Sequence, residues 1–195
     1  MTFENDITYI AEVGFANTKS LKSIIIPASV VTLRNRCFTG SGVKSVRMHP
    51  CSLLKSIEGC AFYNCGNLKT VSIPSVITMG KNIQSDGVTG NVFNGCDSLS
   101  SIIIPTNCTL IEGRSFVGCS NLREIIMQPL AAPDVTETTF YDISGIHTHY
   151  RFVGENTKND GVNTLRIHKD STGYYDGAWM TSLVKECGFH IEYLD

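Results

Sequence analysis

A chain of 195 residues with 42% hydrophobic side chains holds enough apolar material for a core and too much for disorder. Its formal net charge of −2 creates no overall pull toward nucleic acid or an anionic membrane, and no run of 18 apolar residues is present to span a bilayer. Eight cysteines, an even number, permit disulfides in a secreted protein, but no CxxC pair of a zinc site occurs and a chain this long needs no staples.

The opening segment, MTFENDITYI, has neither the basic start nor the long apolar stretch of a signal peptide. After it, ITYIAEVGFANTKS reads as the latter part of a repeat whose strand is missing. Either an array continues ahead of it or Thr2 to Glu12 improvise a cap; the first is the expectation.

The repeat itself is anchored on phenylalanine. Phe15, Phe38, Phe62, Phe93, Phe116 and Phe140 follow one another at intervals of 23, 24, 31, 23 and 24 residues. Five or six residues after each of the first five stands an aliphatic side chain: Leu21, Val43, Leu68, Leu99 and Leu122. Each opens an L-x-x-I-x-I pattern, completed by Ile24 and Ile26, Val46 and Met48, Val71 and Ile73, Ile102 and Ile104, and Ile125 and Met127. Proline follows within two residues, as Pro27, Pro50, Pro74, Pro105 and Pro129. Ahead of the phenylalanines runs another apolar column, Ile10, Leu33, Ile57, Ile111 and Val135. A degenerate sixth strand is read at Val162, Leu165 and Ile167.

Self-similarity at this period predicts a solenoid. One short strand with alternate residues facing inward cannot bury that face alone, so coils stack about 4.7–4.9 Å apart in a parallel sheet. Proline ends each strand because it cannot donate to the ladder. Asn64, Gly95 and Gly118 then suit the turn back. Three residues after the phenylalanine come Ser41, Cys65, Cys96, Cys119 and Ile143, modest side chains in one column. Cysteine here is expected to act as a small buried hydrophobe, with serine tolerated if its hydroxyl reaches a backbone carbonyl. Disulfides within that column are disfavoured, since stacked Cβ atoms sit at the strand spacing rather than at disulfide distance.

LSSIIIPTNCTLIEGRSFVGCSNLREIIMQP closely resembles the BspA-like leucine-rich repeat, and LKSIIIPASVVTLRNRCFTGSG is similar to it with Ser41 where the family usually has cysteine. The likeness covers roughly residues 7 to 140, and NTLRIHKDSTGYYDGAW resembles the family's final strand and cap. The resemblance implies a right-handed leucine-rich-repeat coil, with a parallel sheet on one face and short turns or strands on the other. It also implies a repeat module of bacterial, and some protist, surface proteins, several of them associated with adhesion. The expected organisation is a single domain: a solenoid over 1–169 of about five full repeats plus partial ends, and a C-terminal cap over 170–195.

Two insertions depart from the family, near 80–91 and 143–160. Loops of this kind in solenoids lie on one face and often serve binding; the bland alternative is a tolerated surface loop, because added loop length costs little. The cap is read from Tyr175, Trp179, Leu183 and Cys187, which recur every four residues as one helical stripe. Gly173 and Gly177 weaken its first half, so two short helices fit as well, and HIEYLD offers a closing strand.

In such a coil the outward strand positions line the concave face: Ser23 and Ile25, Ser45 and Arg47, Thr70 and Ser72, Ser101 and Ile103, Glu124 and Ile126, Thr164 and Arg166. The position before them holds Lys22, Lys44, Lys69, Ser100 and Arg123. The candidate binding surface is therefore Lys22, Lys44, Lys69, Arg123, Arg47 and Arg166, with Ile25, Ile103 and Ile126 as apolar contacts and His147 and His149 in the second insertion. An anionic protein or glycan suits the basic strip; the competing reading is that the long lysine side chains splay into water and keep the sheet from aggregating. No catalytic motif is present, His147 and His149 lack a third metal ligand, and no cofactor is expected. The expectation is a monomeric, non-catalytic binding module at the cell surface or outside the cell, without nucleic-acid binding or membrane insertion; structural spacer repeats are the alternative.

Overall fold

The computed structural model describes residues 7–81, 89–135, 137–140, 163–175, 177, 179, 183–184 and 187–194. Short and longer strands alternate along the chain, with one more longer strand at the end. The short ones, β1 (Tyr9–Ile10), β3 (Thr32–Leu33), β5 (Ser56–Ile57), β7 (Thr78–Met79), β9 (Leu110–Ile111) and β11 (Asp134–Val135), form one continuous six-stranded parallel sheet. The longer ones fall into two parallel sheets. The first holds β2 (Ser23–Ile26), β4 (Ser45–Met48) and β6 (Thr70–Val71); the second holds β8 (Ser101–Ile104), β10 (Glu124–Met127), β12 (Thr164–Ile167) and β13 (His190–Tyr193). Alternation explains these strands: β2 and β8 bury every second side chain and expose the others.

The third side of the coil is held by the phenylalanine turns. The amides of Phe15, Phe38, Phe62, Phe93 and Phe116 each donate to a carbonyl of the next coil at 2.7–3.0 Å. The chain bends sharply on both sides of each ring. Val13 and Asn17 around Phe15, Arg36 and Gly40 around Phe38, Cys60 and Asn64 around Phe62, Asn91 and Gly95 around Phe93, and Arg114 and Gly118 around Phe116 all have positive φ. Left-handed backbone at a non-glycine residue costs about 1–2 kcal/mol, so a repeated pair per coil persists only because ring burial over-determines it.

The core is one column between these sides. Adjacent rings from Phe15 through Phe140 stack at centroid separations of 5.2, 5.2, 5.3, 5.8 and 6.0 Å, nearly parallel. Ile10, Leu33, Ile57 and Ile111 are buried on the short-strand side, joined by Met79. The sequence pattern passes over Met79 because the insertion that follows it moves the next phenylalanine out of step. That insertion leaves the coil through a stem: the Gly90 amide donates to the Gly80 carbonyl at 2.9 Å. A Cβ at Gly90, where φ is +69°, would stand 2.0 Å from the Gly113 carbonyl oxygen, so only glycine closes this stem.

At the C-terminal end the expected helical cap is not shown, and 176, 178, 180–182 and 185–186 lie outside the described residues. The closing strand is present, β13 pairing in parallel with β12. The expected stripe needs one correction. Trp179, Leu183 and Cys187 are buried, but Tyr175 is exposed and Tyr174 takes the inward place. Tyr174 is fixed because its hydroxyl donates to the Pro129 carbonyl at 3.0 Å, while Trp179 Nε1 donates to the Pro133 carbonyl at 3.0 Å. The Trp179 ring lies 5.2 Å from Phe140 and so terminates the aromatic stack.

Candidate binding surface

Strand register decides which outward residues become neighbours. Ser23 stands beside Ser45 and Ser45 beside Thr70, and Ile25 stands beside Arg47. In the second sheet Ser101, Glu124, Thr164 and His190 form one row, and Ile103, Ile126, Arg166 and Glu192 the next. Lys22, Lys44 and Lys69 are also in step, since the Lys44 amide donates to the Lys22 carbonyl at 2.8 Å and the Lys69 amide to the Lys44 carbonyl at 2.9 Å. All three lysines, Arg47 and Arg123 are exposed. Ile25 is 59% and Ile103 49% exposed, while Ile126 is half-buried. The register thus brings the basic strip and the isoleucines onto one face. His147 and His149 lie outside the described residues.

Arg166 differs from the other basic candidates. Its guanidinium lies 3.4 Å from Glu124 Oε1 and 3.3 Å from Glu192 Oε2. It therefore spans β10, β12 and β13 and is charge-compensated within the fold. Ser100, Ser101, Arg123, Glu124, Thr164, Arg166 and Glu192 line a shallow depression of about 520 Å3 there. The sequence places Glu124 beside this site but gives no signal for Glu192, which arrives from the chain's last strand.

The concave face is also interrupted. Successive long strands are hydrogen-bonded everywhere except between β6 and β8, where, among the described residues, no main-chain hydrogen bond crosses. A cleft of about 220 Å3 opens at this break, lined by Val71, Ser72, Ile73, Pro74, Ile103, Pro105 and Gln128. Sequence periodicity could not find it, because TVSIP matches the other strands letter for letter in type. The repeat that breaks is the one followed by the first insertion.

The thiols are part of the wall rather than the surface. Cys65, Cys96 and Cys119 donate from Sγ to the carbonyls of Phe38, Phe62 and Phe93 at 3.0, 3.2 and 3.1 Å. Ser41 behaves differently from expectation: its hydroxyl sits 3.6 Å from Cys65 Sγ instead of on a carbonyl. The carbonyl it would use, that of Phe15, already accepts from the Thr18 hydroxyl at 2.6 Å. Burial pushes the thiols of Cys37, Cys60, Cys65 and Cys96 up, and that of Cys108 from 9.0 to about 11. Such thiols are protonated and unreactive at neutral pH. Only Cys51 is exposed. Among the described residues no group of three or more His, Cys, Asp or Glu could hold a metal ion, and no helix is long and apolar enough to cross a membrane.

Comparison with known proteins gives two kinds of likeness. The family described as BspA type leucine rich repeat region matches in six copies over residues 1–85 and 86–152. A leucine-rich cell surface protein of Faecalibacterium prausnitzii A2-165 is similar in structure, with a TM-score of 0.57 and 23% identity, over 69% of this chain and 34% of its own. A leucine-rich repeat protein of Bacteroides ovatus ATCC 8483 superimposes with a TM-score of 0.55 and 22% identity, over 100% of this chain and 48% of its own. At these identities the likeness is one of fold, and this chain spans less than half the length of either protein. No curated protein matches it.

Proposed function

The chain belongs to the BspA-type leucine-rich repeat family, and from that premise we propose that it is a non-catalytic binding module of a cell-surface or secreted protein, using its concave sheet to hold a protein or glycan partner. The observation that carries this reading is the row of Lys22, Lys44 and Lys69, exposed and in step, with Arg47 and Ile25 in one row beyond that of Ser23, Ser45 and Thr70. Like charges stacked at strand spacing repel one another, and an anionic partner removes that cost. Adhesion to host or matrix components is the use such a face supports.

Retention on immobilised matrix proteins and on a glycan array tests it. Specific retention that is lost in the Lys44→Ala, Arg47→Ala double variant, with the melting temperature unchanged, is the expected result. Retention indifferent to that change, or none at all, overturns it. The unbroken stack of six phenylalanine rings favours a second reading, a stiff spacer that holds another domain away from its anchor; that reading gains if no partner is retained.

A further inference from the structure

The net charge of −2 conceals a strong polarity. Residues 1–81 hold nine lysines and arginines against Glu4, Asp6, Glu12 and Glu58, a formal +5, whereas residues 82–195 hold seven against fourteen acidic residues, a formal −7. The strands β2, β4 and β6 carry no carboxylate at all. On the other half of the same face, Arg166 is already compensated by Glu124 and Glu192. An anionic ligand is thus drawn to the N-terminal half of the concave sheet, while on the other half Arg123 and Arg166 are balanced by Glu124 and Glu192.

We propose that the N-terminal half of this sheet is the docking site for an acidic polypeptide segment. Its carboxylates follow the track of Lys22, Lys44 and Lys69 beside Arg47, and an aliphatic side chain enters the cleft between β6 and β8. The proposal rests on the concave sheet being the binding surface. The three lysines are in step along the main chain, at about the strand separation of 4.8 Å, so the track runs along the solenoid axis and ends at Lys69, in the coil whose next strand boundary is the broken one. Val71, Ile73, Pro74, Ile103 and Pro105 make the cleft apolar, and its volume of about 220 Å3 suits a single side chain. Among the described residues, the main-chain groups that a continuous ladder would pair across β6 and β8 make no main-chain hydrogen bond to each other, which leaves them for a ligand backbone to satisfy. A nucleic acid fits less well, because no aromatic side chain stands on β2, β4 or β6 to stack a base. An anionic polysaccharide matches the charge but has nothing to place in the cleft.

Fluorescence anisotropy decides it, with a fluorescein-labelled twelve-residue polyglutamate peptide carrying one central leucine. The comparison probes are the same peptide with glycine for leucine, a polylysine counterpart, and unlabelled heparin as competitor. The leucine peptide is expected to bind, more weakly as salt rises, and the polylysine peptide not to bind. Glycine for leucine, Ile103→Asp, and the Lys44→Glu, Arg47→Glu pair should each weaken binding about tenfold, which corresponds to about 1.4 kcal/mol. Arg123→Glu should change it less than about twofold. Equal binding of the leucine and glycine peptides, or indifference to the Lys44 and Arg47 changes, overturns the proposal. Heparin binding tighter than the leucine peptide, with the same sensitivity to Lys44 and Arg47, overturns it in favour of a polysaccharide and leaves the concave sheet as the binding face. Failure of every probe together with indifferent retention on the matrix proteins and glycans removes both readings.

Discussion

A phenylalanine in this molecule is both a core residue and a ruler. Each ring lies 5.2–6.0 Å from its neighbours, so removing one opens a cavity that touches two coils. Phe116→Ala should destabilise the fold by about 3–5 kcal/mol, against about 0.5 kcal/mol or less for the exposed Lys44→Ala; denaturant unfolding of the two variants measures both. The thiols predict a pH dependence. Because burial raises Cys37, Cys60, Cys65, Cys96 and Cys108 above the unfolded thiol value, the unfolded chain releases protons first as pH rises. Stability should be level below about pH 8.5 and fall above it, with the Cys108 share lost between pH 9.0 and about 11. Unfolding free energies at pH 7 and pH 10 check this, and equal values contradict it. The anchors were legible in the sequence because every coil repeats them. Tyr174 was not, because its inward turn depends on a hydrogen bond to Pro129, and the compensation of Arg166 was not, because Glu192 belongs to a strand paired only in three dimensions.

At the scale of elements, strand identity was readable wherever alternation and a terminal proline coincide, as in SIIIP of β2 and β8. The six short strands were legible as a column of single apolar residues, except at Met79, where the insertion breaks the count. What the pattern cannot express is a failure of pairing, so the break between β6 and β8 emerges only from the hydrogen bonds. The Gly80–Gly90 stem shows how an insertion coexists with stacking: both ends return to one point and the next coil resumes in register. Gly90→Ala should therefore cost at least about 1–2 kcal/mol from its left-handed backbone alone, more with the clash at Gly113, as measured by a lowered denaturation midpoint. An unchanged midpoint would mean that the stem is not held as described.

Over the whole molecule, a stack of coils is joined by one hydrophobic column, and the two halves of its concave face differ in charge. The polarity was present in the sequence, where a total of −2 hides +5 over residues 1–81 against −7 over residues 82–195, and the fold sets the basic row of Lys22, Lys44 and Lys69 on the N-terminal side of the broken ladder. The most direct test is amide chemical-shift mapping by NMR, titrating the isotope-labelled chain with the leucine-bearing polyglutamate peptide. Shifts confined to Lys22, Lys44, Arg47, Lys69, Val71 and Ile103 and their strand neighbours are expected, with β12 and β13 unmoved. Shifts centred on β12 and β13, or on the short-strand sheet, would contradict it.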